Sequence, residues 1–310
     1  MAVRKIYINY NIFSWKYKIM RYFCSRINKE IIMKVSLKSV LWWVFAVVFT
    51  VVMARYQKMT GPTYPVSGKV TLNNTEYKYS LIRTAENTKD AEISLNIPDT
   101  AVHGTITYKR FKSDDALTTV PLERKDGTLY FMMPKQPAAG KMMYEINLQR
   151  GTEQVKLNAK NDEFVVMRFK GPVPLYILIP HILAMFLGLL FSTRTAIEAL
   201  INGARTYKLA LWTLGFLIVG GLILGPVVQK YAFGAYWTGW PMKGILNFGD
   251  LTDNKTLLMV LAWVFAVIKL RKDPKNKVWP VVAAVMVLVV YLIPHSVLGS
   301  EIDHTKSIKP

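Results

Sequence analysis

The amino-acid sequence predicts an integral membrane α-helical bundle of five transmembrane helices, with one all-β domain inserted between the first and second helices. Three observations predict it. Five long apolar runs are spread over the 310 residues, and many of the lysines and arginines stand at the ends of those runs. The stretch between the first and second runs alternates apolar and polar residues with the period of a β-strand. A formal net charge of +20 on a chain that is 52% hydrophobic suits neither a disordered polymer nor an ordinary soluble enzyme. Membrane flanks account for both numbers, because headgroups and cytoplasmic water hold the charge. They also remove the need for a nucleic-acid partner, and no interleaving of basic and aromatic residues of the single-strand-binding kind is present.

The first run, Val40 to Ala54, follows nine basic residues between Arg4 and Lys38, which is a signal-anchor pattern. No small-x-small cleavage site follows it, so the helix is expected to stay. Met33 opens "MKVSLKSVLWW", which has the look of a start, and residues 1–32 are assigned no role. Four more apolar runs follow the inserted domain: Pro174 to Phe191, Leu209 to Val228, Thr256 to Leu270 and Val278 to Leu298. The Thr256 run is short of the roughly 20 residues that cross a 30 Å hydrocarbon core, unless Leu251 and the residues after it extend it. Basic residues set the orientation. The N-terminal tail, the connection with Arg194, Arg205 and Lys208, and the connection "KLRKDPKNK" belong to one side, the cytoplasmic one. The expected location is therefore a bacterial inner membrane with the β-domain on the periplasmic side. The domains divide as 1–38 (basic cytoplasmic segment), 39–56 (anchor helix), 60–171 (extracytoplasmic β-sandwich), 174–298 (four-helix bundle with an outer loop 229–255) and 299–310 (extracytoplasmic tail).

Between about Gly61 and Gly171 short alternating stretches such as "AEISLNI" and "KMMYEINLQ" are separated by the turn clusters "LNNT", "IPDT" and "KDGT". Seven to nine strands at this spacing within roughly 110 residues indicate an antiparallel sandwich, and the pattern resembles immunoglobulin and fibronectin domains. Tyr144 stands where such sandwiches place a corner tyrosine. The single cysteine, Cys24, excludes any intrachain disulfide, so this domain must fold on its core alone. It also excludes cysteine-built zinc sites. A metal or haem would have to be held by His103, His181, His295 or His304, or by Met, Asp and Glu.

Two histidines occupy matching words, "YILIPHILA" around His181 and "VYLIPHSVL" around His295. At about 1.5 Å per residue, His181 lies roughly 10 Å and His295 roughly 5 Å below the outer boundary. Ionisable residues inside spans are expensive and usually face the bundle interior, so a shared site, with both as metal ligands, is one reading. The other is structural. Pro180 and Pro294 each free a carbonyl that a ring N–H could satisfy. His103 reads as a surface or packing residue, and His304 as a solvated residue of the tail.

The outer loop concentrates Phe233, Tyr236, Trp237 and Trp240, followed by Asp250. It could hold a planar ligand, or it could be an interfacial aromatic belt with Asp250 or Asp253 capping the next helix. The order of histidine, tryptophan-rich loop ("FGAYWTGWP") and histidine resembles the haem-handling membrane proteins of cytochrome c biogenesis, whose loop carries a W-G-x-W-W-x-W-D type motif. That resemblance implies haem as cofactor, with His181 and His295 as axial ligands and Tyr236, Trp237, Trp240 and Asp250 around it. It covers only the last 140 or so residues. The tryptophans here are fewer, and no aspartate follows Trp240 directly. The competing class is a non-enzymatic assembly protein whose β-domain docks an extracytoplasmic partner. No Gly-rich phosphate loop, Ser/His/Asp set or HExxH is present, and no catalytic residue is assigned. In "GGLILG", Gly221 and Gly225 form a small-xxx-small face for helix packing.

Overall fold

The computed structural model describes residues 37–159, 163–236, 251–293 and 301–305, with the side chains of 251–253 left aside. The chain divides into two compact units at Ala46, inside the first helix. Of the first unit, only Leu37 to Phe45 is described. There the chain is helical and Trp42 meets Phe45 edge to face, with ring centroids 6.2 Å apart.

Helix α1 runs Leu37–Thr60. The β-domain follows with eleven strands: β1 (Val66–Leu72), β2 (Thr75–Leu81), β3 (Thr84–Glu86), β4 (Ala91–Asn96), β5 (His103–Arg110), β6 (Thr118–Pro121), β7 (Glu123–Lys125), β8 (Thr128–Met133), β9 (Lys141–Arg150), β10 (Glu153–Leu157) and β11 (Val165–Lys170). Where the alternation leads one to expect seven to nine strands there are eleven, of which β3, β6 and β7 are only three or four residues long. The turn chemistry decides two hairpins. Asn73 and Asn74 take φ of 46° and 61° between β1 and β2, while Asp126 and Gly127 take 47° and 74° between β7 and β8. Two positive φ values in a two-residue loop make the turn whose twist suits antiparallel strands.

The strands form a β1-β2 hairpin, a sheet ordered β3-β11-β9-β5-β6 with β10 also on β9, and a sheet ordered β4-β8-β7. They close around one apolar core, to which β1, β4, β5, β8, β9 and β11 contribute Leu72, Ile93, Ile106, Leu129, Tyr144 and Phe169. Alternation does this directly: in β4, Ala91, Ile93 and Leu95 are buried while Glu92, Ser94 and Asn96 are exposed. Two expectations need correction. The domain is not wholly antiparallel, since β11 pairs β3 in parallel. Tyr144 is not a corner tyrosine. A corner hydroxyl bonds back to backbone a few residues upstream, whereas the Tyr144 hydroxyl donates to the Ile82 carbonyl at 2.8 Å, 62 residues away. It pins β9 to the exit of β2.

The remaining helices are α2 (Leu175–Leu200), α3 (Thr206–Phe233), α4 (Leu251–Lys272) and α5 (Val278–Leu292). Among the described residues, α1, α2 and α3 are long and apolar enough to cross a membrane. α4 does extend back to Leu251, but charged residues interrupt its apolar character at both ends. α5 has 15 helical residues and is followed by Ile293 in an extended conformation, and residues 294–298 of its sequence run lie outside the described residues. The helices pack inside out relative to a water-soluble bundle. Trp263, Ala266, Val287 and Leu217 fill the middle, while Val48, Ile223, Leu261 and Val285 lie about half exposed on the outside. An outer surface this apolar is unfavourable in water.

α2 ends where Asn202 adopts the left-handed conformation at φ 55°. α3 is interrupted by a π-helical stretch, Ile218–Leu224. Pro226 follows it and has no N–H to offer the carbonyl four residues back, so a wider turn there is physically expected. The close contacts of the glycine-rich segment differ from the expected pair. A Cβ on Gly220 would come within 2.9 Å of the Ala184 Cβ, and one on Gly221 would overlap the Thr256 methyl, whereas Gly225 has room.

Candidate functional site

Polar side chains gather at the end of the helices nearest the β-domain. The Gln57 amide of α1 donates to the Tyr291 carbonyl of α5 at 3.1 Å. The buried Tyr291 hydroxyl donates to the Met185 carbonyl of α2 at 3.0 Å. The Lys255 ammonium of α4, 6% exposed, donates to the Ile293 carbonyl at 3.2 Å, just past the end of α5. Gln229 of α3 is also buried. Three of these groups stitch neighbouring helices through backbone carbonyls, which apolar surroundings make costly to leave bare. The sequence signal was present as single polar residues, Gln57, Gln229, Lys255 and Tyr291, near the β-domain ends of the helices. No motif marked them.

His181, two turns into α2, belongs to this set. Its Nδ1 lies 2.9 Å from the Gly220 carbonyl of the π-helical stretch. That carbonyl also accepts the Gly225 N–H across the wide turn. A carbonyl can only accept, so Nδ1 carries the proton and Nε2 carries the lone pair of the neutral ring. The expected source of the carbonyl was a proline on the histidine's own helix. The structure supplies one from the neighbouring helix.

The other expected residues divide. Tyr236 is exposed, and one face of its ring is taken by the Lys230 ammonium, 5.5 Å from the centroid. His295, Trp237, Trp240 and Asp250 lie outside the described residues. His103 is exposed on β5 opposite Gln149, as expected of a surface residue. Among the described residues no three of His, Cys, Asp and Glu gather as a metal site.

His304 is not a free residue of the tail. Its N–H donates to the Lys112 carbonyl at 2.9 Å, and its Nδ1 lies 3.5 Å from the Arg110 guanidinium. Three residues earlier, the Glu301 carboxylate bridges the ammonium groups of Lys112 and Lys141. Burial pushes the Glu301 carboxyl up, but hydrogen bonds from both lysines outweigh it and hold the group below its ordinary range. Burial and the charges of Arg168 and Lys112 keep Lys141 below the usual lysine value even though Glu301 opposes them. Beside this clamp, Arg110 grips Asp115 in two hydrogen bonds of 2.7 Å and holds its carboxyl far below the carboxylate range. Two further ties join the β-domain to the helices. Gly171 N–H donates to the Ala232 carbonyl at 2.9 Å, and Arg168 stands over the Phe233 ring at 5.5 Å.

At the opposite end of the bundle, Arg194 and Glu198 form an ion pair of 2.6 Å, both almost fully buried. Glu198 also accepts the Arg205 N–H at 3.3 Å. Arg194 was read from the sequence only as part of a basic connection. The R-x-x-x-E spacing on one helix face was the overlooked signal.

No family model, curated protein or solved structure matches this chain.

Proposed function

We propose that this chain is a multi-pass membrane protein of five spans, with an immunoglobulin-like sandwich on the periplasmic face of a bacterial inner membrane. We further propose that it binds haem or a related planar redox ligand at the outer end of its helices. The five-span arrangement is supported by parity. The start of α2, the end of α3, the start of α4 and the segment after α5 each touch the β-domain or one another through Gly171, Ala232, Lys255, Ile293 and Glu301. Four crossings separate α2 from the tail in that arrangement. Lys208, Lys269, Arg271 and Lys272 then fall at the other end, as a cytoplasmic side requires.

The ligand assignment is carried by one observation: His181 is held by its Nδ1 proton on a backbone carbonyl, which leaves Nε2 as the donor. Metal-bound histidines are commonly oriented in this way. Haem needs one or two axial ligands rather than a cluster of three, so His181 is the described residue that would hold it, and His295, the second ligand of this reading, lies outside the described residues. Bound there, haem would supply one-electron transfer at the outer face. The protein's share is to orient the imidazole and exclude water. The optical spectrum of protein from haem-replete cells tests this. A sharp Soret band that His181→Ala or His295→Ala abolishes or shifts is expected, with a milder loss for Trp237→Ala or Trp240→Ala and none for His103→Ala. Colourless protein that takes up no added haem would end the assignment.

A second reading has its own support. The β-domain is tied to the helices through Gly171, Arg168 and Glu301, and a stiff mount suits a non-enzymatic assembly protein whose β-domain docks an extracytoplasmic partner.

A further inference from the structure

Between Ala46 and Thr60, α1 turns two stripes in different directions. Ala46, Thr50, Met53 and Gln57 recur at helical spacing on one stripe. Ala46 and Thr50 are buried, Met53 packs on the bundle core and Gln57 donates to Tyr291. Val51, Ala54, Arg55 and Lys58 recur on the other, where α1 does not close against α2. With Phe186, Gly61 and Thr63 they line a cleft of about 510 Å³, whose wall Gln57 of the first stripe also reaches. The apolar part of its wall is Val51, Ala54 and Phe186, and the cations stand toward the β-domain end of α1. Among the described residues neither Arg55 nor Lys58 meets a carboxylate within ion-pair distance. Compensation of the helix dipole accounts for one cation in the last turn, where Lys58 stands. It does not account for Arg55 a turn earlier on the same stripe.

We propose that this cleft binds a phospholipid with an anionic headgroup, its acyl chain along Val51, Ala54 and Phe186 and its phosphate between Arg55 and Lys58. The proposal rests on the membrane reading of α1 and α2. At bilayer depth an apolar gap between helices is filled by hydrocarbon rather than water. The headgroup above that chain is then selected by the two cations. A zwitterionic lipid brings its own positive group against them, and an anionic one does not. Each basic residue close to an anionic headgroup favours it by about five-fold.

The test uses the full chain in nanodiscs containing phosphatidylcholine and phosphatidylglycerol, released into the gas phase for native mass spectrometry. One phosphatidylglycerol should persist per chain after the other lipids are stripped. Arg55→Gln with Lys58→Gln should lower its retention relative to phosphatidylcholine by about 25-fold, and each single change by about five-fold. Arg55→Lys with Lys58→Arg should keep the preference, which separates loss of charge from misfolding. Lys208→Gln with Lys275→Gln, at the other end of the bundle, should leave the persistent lipid in place. Equal retention in the neutralised variant, equal retention of both lipids by the wild type, or displacement by inorganic phosphate would overturn the proposal. A chain that does not enter nanodiscs at all would instead overturn the membrane reading.

Discussion

Tyr144 shows how one hydroxyl can hold a domain without a disulfide. Its ring is fully buried among the strands and its hydroxyl reaches the Ile82 carbonyl. Burial pushes the phenol far above its ordinary value, so it stays a neutral donor into alkaline solution. Tyr144→Phe keeps the packing and removes only the donor, which should cost about 1–2 kcal/mol in chemical unfolding of the β-domain. A change well below that would mean that the Ile82 carbonyl finds water. At the other end of the molecule, Gly203 approaches Glu198 so closely that a Cβ would overlap the carboxylate. Gly203→Ala should therefore push Glu198 off Arg194 and lower the thermal midpoint of the purified protein. Breaking a buried pair costs about 3–5 kcal/mol, and a partial displacement should cost less. An unchanged midpoint would show that the α2–α3 connection simply shifts.

Among the elements, the tail is strapped to the β-domain by the Glu301 carboxylate and by the His304 N–H. Glu301 is held below its ordinary value, so its contribution is complete above the unfolded pKa of about 4.3 and is lost as pH falls through the lower folded value. Docking of residues 301–305 should thus be insensitive to pH near neutrality and weaken below about pH 4. Glu301→Gln should release the strap at neutral pH. A distance measured between spin labels on Thr305 and on exposed Lys89 reads this directly, with a longer, broader distribution on release. Persistence of the short distance in Glu301→Gln would assign the docking to the His304 N–H and its carbonyl partner instead. The wide turn in α3 is a second element with a local cause. Pro226→Ala restores an N–H and should favour ordinary helical turns, rotating the Gly220 carbonyl away from His181.

For the whole molecule, topology is the prediction that matters most. Reporters inserted after Gln57 and Tyr231 should read outside, and those after Arg205 and Lys275 inside. A reversed reading at any of these sites would break the five-span proposal. The β-domain cut from Gly61 to Phe169 should fold as a soluble β-rich monomer with cooperative unfolding, because its core closes within those residues. A disordered fragment would show that the ties at Gly171 and Glu301 are needed for folding.

Local order was legible in the sequence because it depends on neighbours in the chain. Alternation marked eight of the strands, Asn73-Asn74 and Asp126-Gly127 marked two hairpins, and apolar runs marked the helices. Residues 237–250 and 294–300, where three aromatic or acidic candidates and His295 lie, fall outside the described structure. Which carbonyl His181 meets, where Tyr144 bonds, that β3 joins β11 in parallel, and that the tail returns to Lys112 and Lys141 were decided by tertiary structure alone. Each depends on a partner 39 to 189 residues away in the chain or on another element. A periodicity records which face of an element is buried, and carries no information about what lies across from it.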